Sequence, residues 1–313
     1  MKIVVVEPVG ISAEKEQEIR SRFTAMGHEF VFYPDRNEDK NVLVQRMRDA
    51  DIVVISNIKT DADILSQCHR LKMLSVAFTG LDHIDLEYCR RRGIAVNNAS
   101  GYADVAVSEL AVGLMIALCR RIPFLDAQTR RQGCRDGFLG RQLCGQTVGI
   151  VGTGAIGTYT ALTLQKMGCN IIAWSRTENK TITDNNIPYY PLDKLLATAD
   201  IISLHLPLTS ETFRLIDGQK LALCQRHAML INTARGDIVD NKALADALHN
   251  GTLAGAGIDV FEYEPPLSDS HPLISAPNCI LVPHIGYATE EAFGYRIDIV
   301  FRNIVQWLEK GNR

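Results

Sequence analysis

Thr147-Val-Gly-Ile-Val-Gly-Thr-Gly-Ala-Ile-Gly157 is the stretch that decides the fold of this chain. Val148, Ile150 and Val151 make a short apolar strand. Gly152, Gly154 and Gly157 follow it with the G-x-G-x-x-G spacing. The first glycine permits a tight strand-to-helix turn, the second lets a pyrophosphate approach the backbone, and the third lets helix and strand pack closely. A helix that begins here turns unpaired N–H groups and a positive dipole end toward phosphate. Glycine-rich turns are common, so the setting matters. Ala161, Leu164 and Gly168 keep a helical period, and Asn170-Ile-Ile-Ala-Trp174 reads as the next strand. That completes the βαβ unit a dinucleotide site requires.

The same alternation extends in both directions. Strand-like runs at 2–6, 29–33, 51–55 and 72–77 alternate with helical stretches near 13–25, 40–48 and 61–67, and a helix–strand pair follows at 85–92 and 94–97. Elements of this kind mean a parallel sheet with both faces covered. Residues 103–120 form a long, mostly apolar helix that crosses to a second domain. Residues 121–145, with several Arg and Gly, break the pattern and read as a surface arm that grips a second subunit. Strands then recur near 147–151, 170–174, 200–204, 228–232, 256–260 and 279–282, with a helix at 240–249 whose Ala243, Leu244 and Leu248 share a face. The last helix, 289–309, folds back on the first domain. The expected fold class is α/β, two doubly wound parallel-sheet domains with an interdomain cleft. Residues 1–99 and 288–313 make the substrate domain, and 100–287 the dinucleotide-binding domain.

With 313 residues, 46% hydrophobic and 22% charged, the composition is that of an ordinary globular protein large enough for two cores. A net charge of −3 gives no basic field for nucleic acid. No apolar run reaches the roughly 18 residues of a membrane span. The start, Met1-Lys-Ile-Val-Val-Val-Glu7, has too short an apolar core for a signal peptide and suits a first strand. The expectation is a cytoplasmic protein with no nucleic-acid or membrane partner. Eight cysteines are scattered without a C-x-x-C, and eight histidines form no ligand pair, so reduced thiols and no metal are expected.

Ligands of open α/β sheets sit beyond the carboxyl ends of the strands. Arg235 follows Ala228-Met-Leu-Ile-Asn232, Glu264 follows Gly257-Ile-Asp-Val-Phe261, and His284 follows Ile280-Leu-Val-Pro283. A guanidinium holds a carboxylate through two parallel hydrogen bonds, which lysine cannot imitate. An imidazole moves a hydroxyl proton near neutral pH, and a neighbouring carboxylate fixes its tautomer and favours its protonated form. Together these groups suit hydride transfer between a 2-keto acid and a 2-hydroxy acid. Residue type alone leaves plainer readings open: Arg235-Gly236 as a strand end, Glu264-Pro265-Pro266 as a surface turn, and His284 as a structural histidine.

Over essentially its whole length the chain resembles the D-isomer-specific 2-hydroxyacid dehydrogenase family. The matching stretches are Val151-Gly-Thr-Gly-Ala-Ile-Gly157, Leu230-Ile-Asn-Thr-Ala-Arg-Gly236, Gly257-Ile-Asp-Val-Phe-Glu-Tyr-Glu-Pro265 and Pro283-His-Ile-Gly286. The resemblance implies that Arg235 binds the substrate carboxylate and polarises the carbonyl, and that His284 is the general acid/base paired with Glu264. It implies cofactor contacts at Gly152, Gly154, Ala155, Ile156, Gly157, Pro207 and Ala234, and sets Asp259 near the nicotinamide carboxamide. Phe78-Thr-Gly-Leu-Asp-His-Ile-Asp85 resembles the family's substrate loop, where N–H groups near Thr79, Gly80 and Leu81 meet the carboxylate. His83 reads as a loop residue rather than a second catalyst. Asn98 to Glu109 resembles the crossover, with Tyr102 near the cleft mouth. The resemblance also implies a homodimer through the cofactor domain, and cleft closure that expels water.

Two departures bear on specificity. Where NAD-using relatives carry an acidic residue 18 positions after the third glycine, this chain has Ser175, followed by Arg176 and Thr177. A carboxylate would repel a 2′-phosphate, whereas a hydroxyl and a guanidinium welcome it, so NADP(H) is expected over NAD(H). Tyr287 stands where many relatives have a small residue, lining or narrowing the pocket. With no clear basic cluster for a substrate phosphate apart from Arg90 to Arg92, this points to a small, unphosphorylated acid such as glyoxylate, hydroxypyruvate or pyruvate. The alternatives are a 3-phosphoglycerate dehydrogenase and a non-enzymatic, dinucleotide-sensing corepressor, the latter disfavoured by the lack of a disordered tail. Formate oxidation is disfavoured because that branch pairs its histidine with Gln rather than with a residue like Glu264.

Overall fold

A computed structural model describes residues 1–311. The chain divides into two compact units, Met1–Ala103 with the chain from Ala288 onward, and Asp104–Tyr287. In chain order the first unit contains β1 (Lys2–Val5), α1 (Ala13–Ala25), β2 (Glu29–Phe32), α2 (Lys40–Met47), β3 (Ile52–Ile55), α3 (Ala62–Leu65), β4 (Met73–Val76), α4 (Leu86–Arg92) and β5 (Ala95–Asn98). The second has α5 (Asp104–Arg120), α6 (Ile122–Arg130), β6 (Thr147–Val151), α7 (Ala155–Lys166), β7 (Asn170–Trp174), α8 (Lys180–Asp184), α9 (Leu192–Thr198) and β8 (Ile201–Leu204). It continues through α10 (Gly218–Ala222), β9 (Met229–Asn232), a 3-10 turn (Gly236–Ile238), α11 (Asn241–His249), β10 (Gly255–Ile258) and β11 (Cys279–Leu281). The chain then returns to the first unit as α12 (Glu290–Glu309).

The first sheet is wholly parallel in the order β2-β1-β3-β4-β5, the flavodoxin-type doubly wound arrangement, with its switch point between β1 and β3. β3 and β4 bury every residue, as the unbroken Ile52-Val-Val-Ile55 requires of a strand covered on both faces. α12 packs on β4 and β5. Its Val300 carbonyl accepts from Ser75 Oγ at 3.0 Å, and its Asn303 Nδ2 donates to the Asn98 carbonyl at 2.9 Å.

The second sheet runs β7-β6-β8-β9-β10-β11, also parallel, and Tyr189 adds a single bridge to Ala173 beyond β7. This is the Rossmann order, with its switch point between β6 and β8. α5 lies across β9 and β10 and against α7. It comes so close to β10 that a Cβ on Gly257 would be 3.1 Å from Leu114 Cβ.

The arm departs from the irregular reading of 121–145, because Ile122–Arg130 is helical. Arg121 in the left-handed conformation (φ 49°) and Pro123 in the first turn start it. Only the stretch after it is irregular, with positive φ at Gln132, Asp136 and Gly137. Ile122, Phe124 and Leu139 are exposed on this arm. The helix expected at 61–67 is a single turn whose cap, the Asp61 side chain, accepts from Ile64 N. No disulfide occurs among the described residues, and burial raises the thiols of Cys68, Cys89, Cys169 and Cys224 to about 11.

Candidate active site

The glycine turn leaves β6 and starts α7. Gly152 has φ 101°, and a Cβ there would be 2.5 Å from the His205 carbonyl oxygen; one on Gly157 would be 1.9 Å from the Gly152 oxygen. Both positions therefore require glycine. A Cβ on Gly154 would meet nothing within 4 Å, and no side chain caps the helix. The second glycine thus faces open space with uncapped helix N–H groups beside it, the cradle a pyrophosphate fits. Ala155 and Ile156 supply the first turn of α7.

This turn is braced by residues that sequence reasoning missed. Asn179 Nδ2 donates to the Thr153 carbonyl (2.9 Å) and to Thr158 Oγ1 (3.1 Å). Tyr189 Oη accepts from Asn179 N and donates to Thr153 Oγ1, both at 2.8 Å. An Asn ahead of a short helical run was the available signal, since Asn179 is also the N-cap of α8. Ser175, Arg176 and Thr177 lie between this brace and the end of β7.

His205 lies beneath the turn, at the carboxyl end of β8, with Nε2 2.9 Å from Ser203 Oγ. Burial pushes its imidazole from the ordinary 6.5 down to about 4, so the ring is neutral at physiological pH. Because the folded value lies below the unfolded one, the stability present above 6.5 is lost as pH falls toward 4. The expected loss between about pH 7.5 and about pH 5 is ~2 kcal/mol. Urea denaturation at the two pH values reads it. His205→Gln, which keeps a partner for Ser203, should remove that share of the acid sensitivity, and an unaltered pH dependence in the variant would refute the assignment.

Arg235 sits at the end of β9 on a turn held from inside. Fully buried Asn232 accepts from Ala234 N at 3.0 Å through Oδ1 and donates to the Arg235 carbonyl at 2.9 Å through Nδ2. Arg235 Nη1 donates to the Ala234 carbonyl at 2.7 Å. Gly236 packs so tightly on the next strand's loop that a Cβ would be 2.0 Å from the Phe261 carbonyl carbon. The turn carrying Arg235 and the loop leading to Glu264 are thereby locked together.

His284 follows β11, and its Nδ1 lies 2.8 Å from Glu264 Oε1, the carboxylate oxygen accepting. Its backbone is left-handed (φ 54°), a cost of order 1–3 kcal/mol that the surroundings must offset. Asp259, at the end of β10, does so. Its carbonyl accepts from His284 N (2.9 Å), and its carboxylate oxygens accept from Ile285 N (2.6 Å) and Gly286 N (2.9 Å). Three successive N–H groups converge on one residue that is 1% exposed. Burial raises the Asp259 carboxyl above the usual carboxylate range, against the opposing pull of the two N–H donors and of His284. Assigned above to the carboxamide, Asp259 thus has a structural engagement that sequence did not announce. Tyr287 closes the other side of His284, ring edge to ring face at 5.4 Å and 87°. The loop bearing Glu264 is itself tied by Glu262 Oε2 to His271 Nε2 at 3.1 Å.

In the first unit, Thr79, Gly80 and Leu81 follow β4 at its carboxyl end. The Thr79 carbonyl accepts from Asn98 Nδ2 (2.6 Å), and the Leu81 carbonyl from Ile84 N (3.0 Å). His83 is part of that loop, its carbonyl accepting from Thr60 N. Tyr102, expected at a cleft mouth, is 4% exposed. The reason is packing: its ring lies against Phe78 (6.4 Å, 64°) and the Arg296 guanidinium (5.9 Å).

A Rossmann sheet with an open pyrophosphate cradle after β6, and an imidazole–carboxylate pair beyond the β10 and β11 ends of the same sheet, defines a nicotinamide-dependent oxidoreductase. Comparison with known proteins narrows the class. Residues 112–286 match the family model described as D-isomer specific 2-hydroxyacid dehydrogenase, NAD binding domain. A glyoxylate reductase of Thermofilum pendens is 39% identical over 292 residues, covering 90% of this chain and 84% of the relative. A glycerate dehydrogenase of Methylorubrum extorquens is 36% identical over 271 residues, covering 84% of each. Among solved structures, a glyoxylate reductase from Paecilomyes thermophila superposes with a TM-score of 0.89 at 28% identity, covering 99% of this chain and 96% of that one. The chain belongs to the D-isomer-specific 2-hydroxyacid dehydrogenase family. It is an NAD(P)-dependent oxidoreductase that interconverts a 2-keto acid and a D-2-hydroxy acid. Among the described residues no group of three or more His, Cys, Asp or Glu is placed to hold a metal ion, and no helix is long and apolar enough to cross a membrane.

Proposed function

We propose that this protein reduces a small, unphosphorylated 2-keto acid, of the size of glyoxylate, hydroxypyruvate or pyruvate, and that it prefers NADPH. The observation that carries the chemistry is the His284–Glu264 contact at 2.8 Å on a backbone bracketed by Asp259. With Nδ1 committed to Glu264, Nε2 is the nitrogen left to give a proton to the carbonyl oxygen. Glu264, held at Nδ1, fixes the orientation and the tautomer of the ring. Arg235 aligns the substrate carboxylate and draws electron density toward the oxygen that His284 protonates. Thr79, Gly80 and Leu81 contribute N–H groups to the same carboxylate in this reading, and Tyr287 limits the substrate's side chain. Asp259 retains a lone pair on each oxygen for the carboxamide.

When bound, the reduced nicotinamide supplies the hydride. Gly152, Gly154, Ala155, Ile156 and Gly157 hold its pyrophosphate, Pro207 and Ala234 line its path, and Ser175, Arg176 and Thr177 receive the 2′-phosphate. A homodimer contact through the arm belongs to the same reading. It is supported by the exposed Ile122, Phe124 and Leu139, and sedimentation equilibrium would read it.

One experiment tests substrate and cofactor together. Initial rates with glyoxylate, hydroxypyruvate, pyruvate and 3-phosphohydroxypyruvate, each with NADPH and NADH, should give the highest kcat/KM for an unphosphorylated acid with NADPH. Highest efficiency with the phosphorylated acid would replace the substrate reading, and a clear NADH preference would end the cofactor reading.

A further inference from the structure

The two loops flanking the glycine turn are tied to each other. Arg176 leaves β7 and Glu211 lies in the loop after β8, and these are the strands on either side of β6. Arg176 Nη1 donates to Glu211 Oε2 at 2.9 Å, with the side chains 82% and 68% exposed. Both supports are well held. Thr212 Oγ1 donates to the Pro207 carbonyl (2.6 Å) and accepts from Thr209 N (2.8 Å), which organises the turn bearing Glu211. Asn179 anchors the far end of the Arg176 loop to Thr153 and Thr158 of the glycine turn. The guanidinium that a 2′-phosphate needs therefore already has a carboxylate partner, delivered from the opposite side of the cofactor cradle.

We infer that Glu211 is a specificity-determining residue: it competes with the cofactor's 2′-phosphate for Arg176 and so tunes the choice between NADPH and NADH. This rests on reading Ser175 to Thr177 as the 2′ site. A cofactor with a free 2′-hydroxyl leaves the ion pair closed. A 2′-phosphate must take the carboxylate's place on Arg176, and the displaced Glu211 then presents a like charge nearby. Guanidinium–phosphate bonds are strong enough to win that exchange. The handicap is modest, because an exposed ion pair is worth a factor of only about 2–5.

Calorimetric titration with ADP-ribose and with its 2′-phosphate reads the competition without turnover. Glu211→Gln should bind the 2′-phosphorylated ligand about 2–5-fold more tightly than the wild type while leaving ADP-ribose affinity unchanged. The gain should shrink as salt screens the pair. In an Arg176→Ala background, Glu211→Gln should lose most of its effect. An unchanged affinity for the 2′-phosphate, an equal change for both ligands, or an undiminished effect without Arg176 would each overturn the inference. A wild-type preference for NADH would defeat only the NADPH reading above, because the direction of the Glu211 shift does not depend on where the wild-type ratio lies.

Discussion

His284→Ala lowers kcat by roughly 10²–10⁴, the range for a lost general acid/base. In the proposed reaction the proton delivered to the carbonyl oxygen comes from this ring. Glu264 is 2.8 Å from Nδ1 and serves the ring rather than the substrate, so it does not replace it. The substitution also puts Ala at φ 54°, where residues other than glycine and asparagine are strained. His284→Asn separates the two effects, since Asn tolerates that backbone but cannot transfer the proton. Both variants should bind NADPH as the wild type does, measured by quenching of protein fluorescence, and both should be slow in single-turnover reduction. Near-normal turnover in either would reject the role given to His284.

Arg235→Lys lowers kcat/KM by about 10–100-fold, through a higher KM and a lower kcat together. Lysine keeps the charge but loses the planar fork, and one charge-assisted hydrogen bond is worth about 1.5–3 kcal/mol. Because the clamp also orients the carbonyl, part of the loss falls on the chemical step. The penalty should be nearly the same for every 2-keto acid that turns over, since all carry the same carboxylate, and the KM for NADPH should barely move. Steady-state rates over a substrate series decide it. An unchanged kcat/KM would sink the carboxylate clamp, and a penalty that varies widely among the acids would point to side-chain recognition instead.

The architecture was legible because each element announces itself locally. Ile52-Val-Val-Ile55 can only be a strand covered on both sides, and Gly152 and Gly157 mark a turn that no other residue type fills. The helix Ile122–Arg130 was missed, because the Gly residues that follow it argue against a helix over the stretch as a whole. The candidate catalytic set was read from the sequence by another route. Arg235, Glu264 and His284 each follow an apolar run, and the parallel order β9-β10-β11 brings those strand ends side by side.

Residue identity and order alone thus determined two doubly wound sheets, the dinucleotide turn, and the trio of charged and titratable groups at the strand ends. Only the tertiary structure decided what holds them. Asp259 brackets the His284 backbone, Tyr102 is packed against Phe78, and Glu211 reaches Arg176 across β6. The physical reason is range. Strand and turn propensities act over a few residues, whereas a hydrogen bond or ion pair depends on positions 26 to 35 residues apart converging within 3 Å. Chain folding, not local preference, sets that convergence.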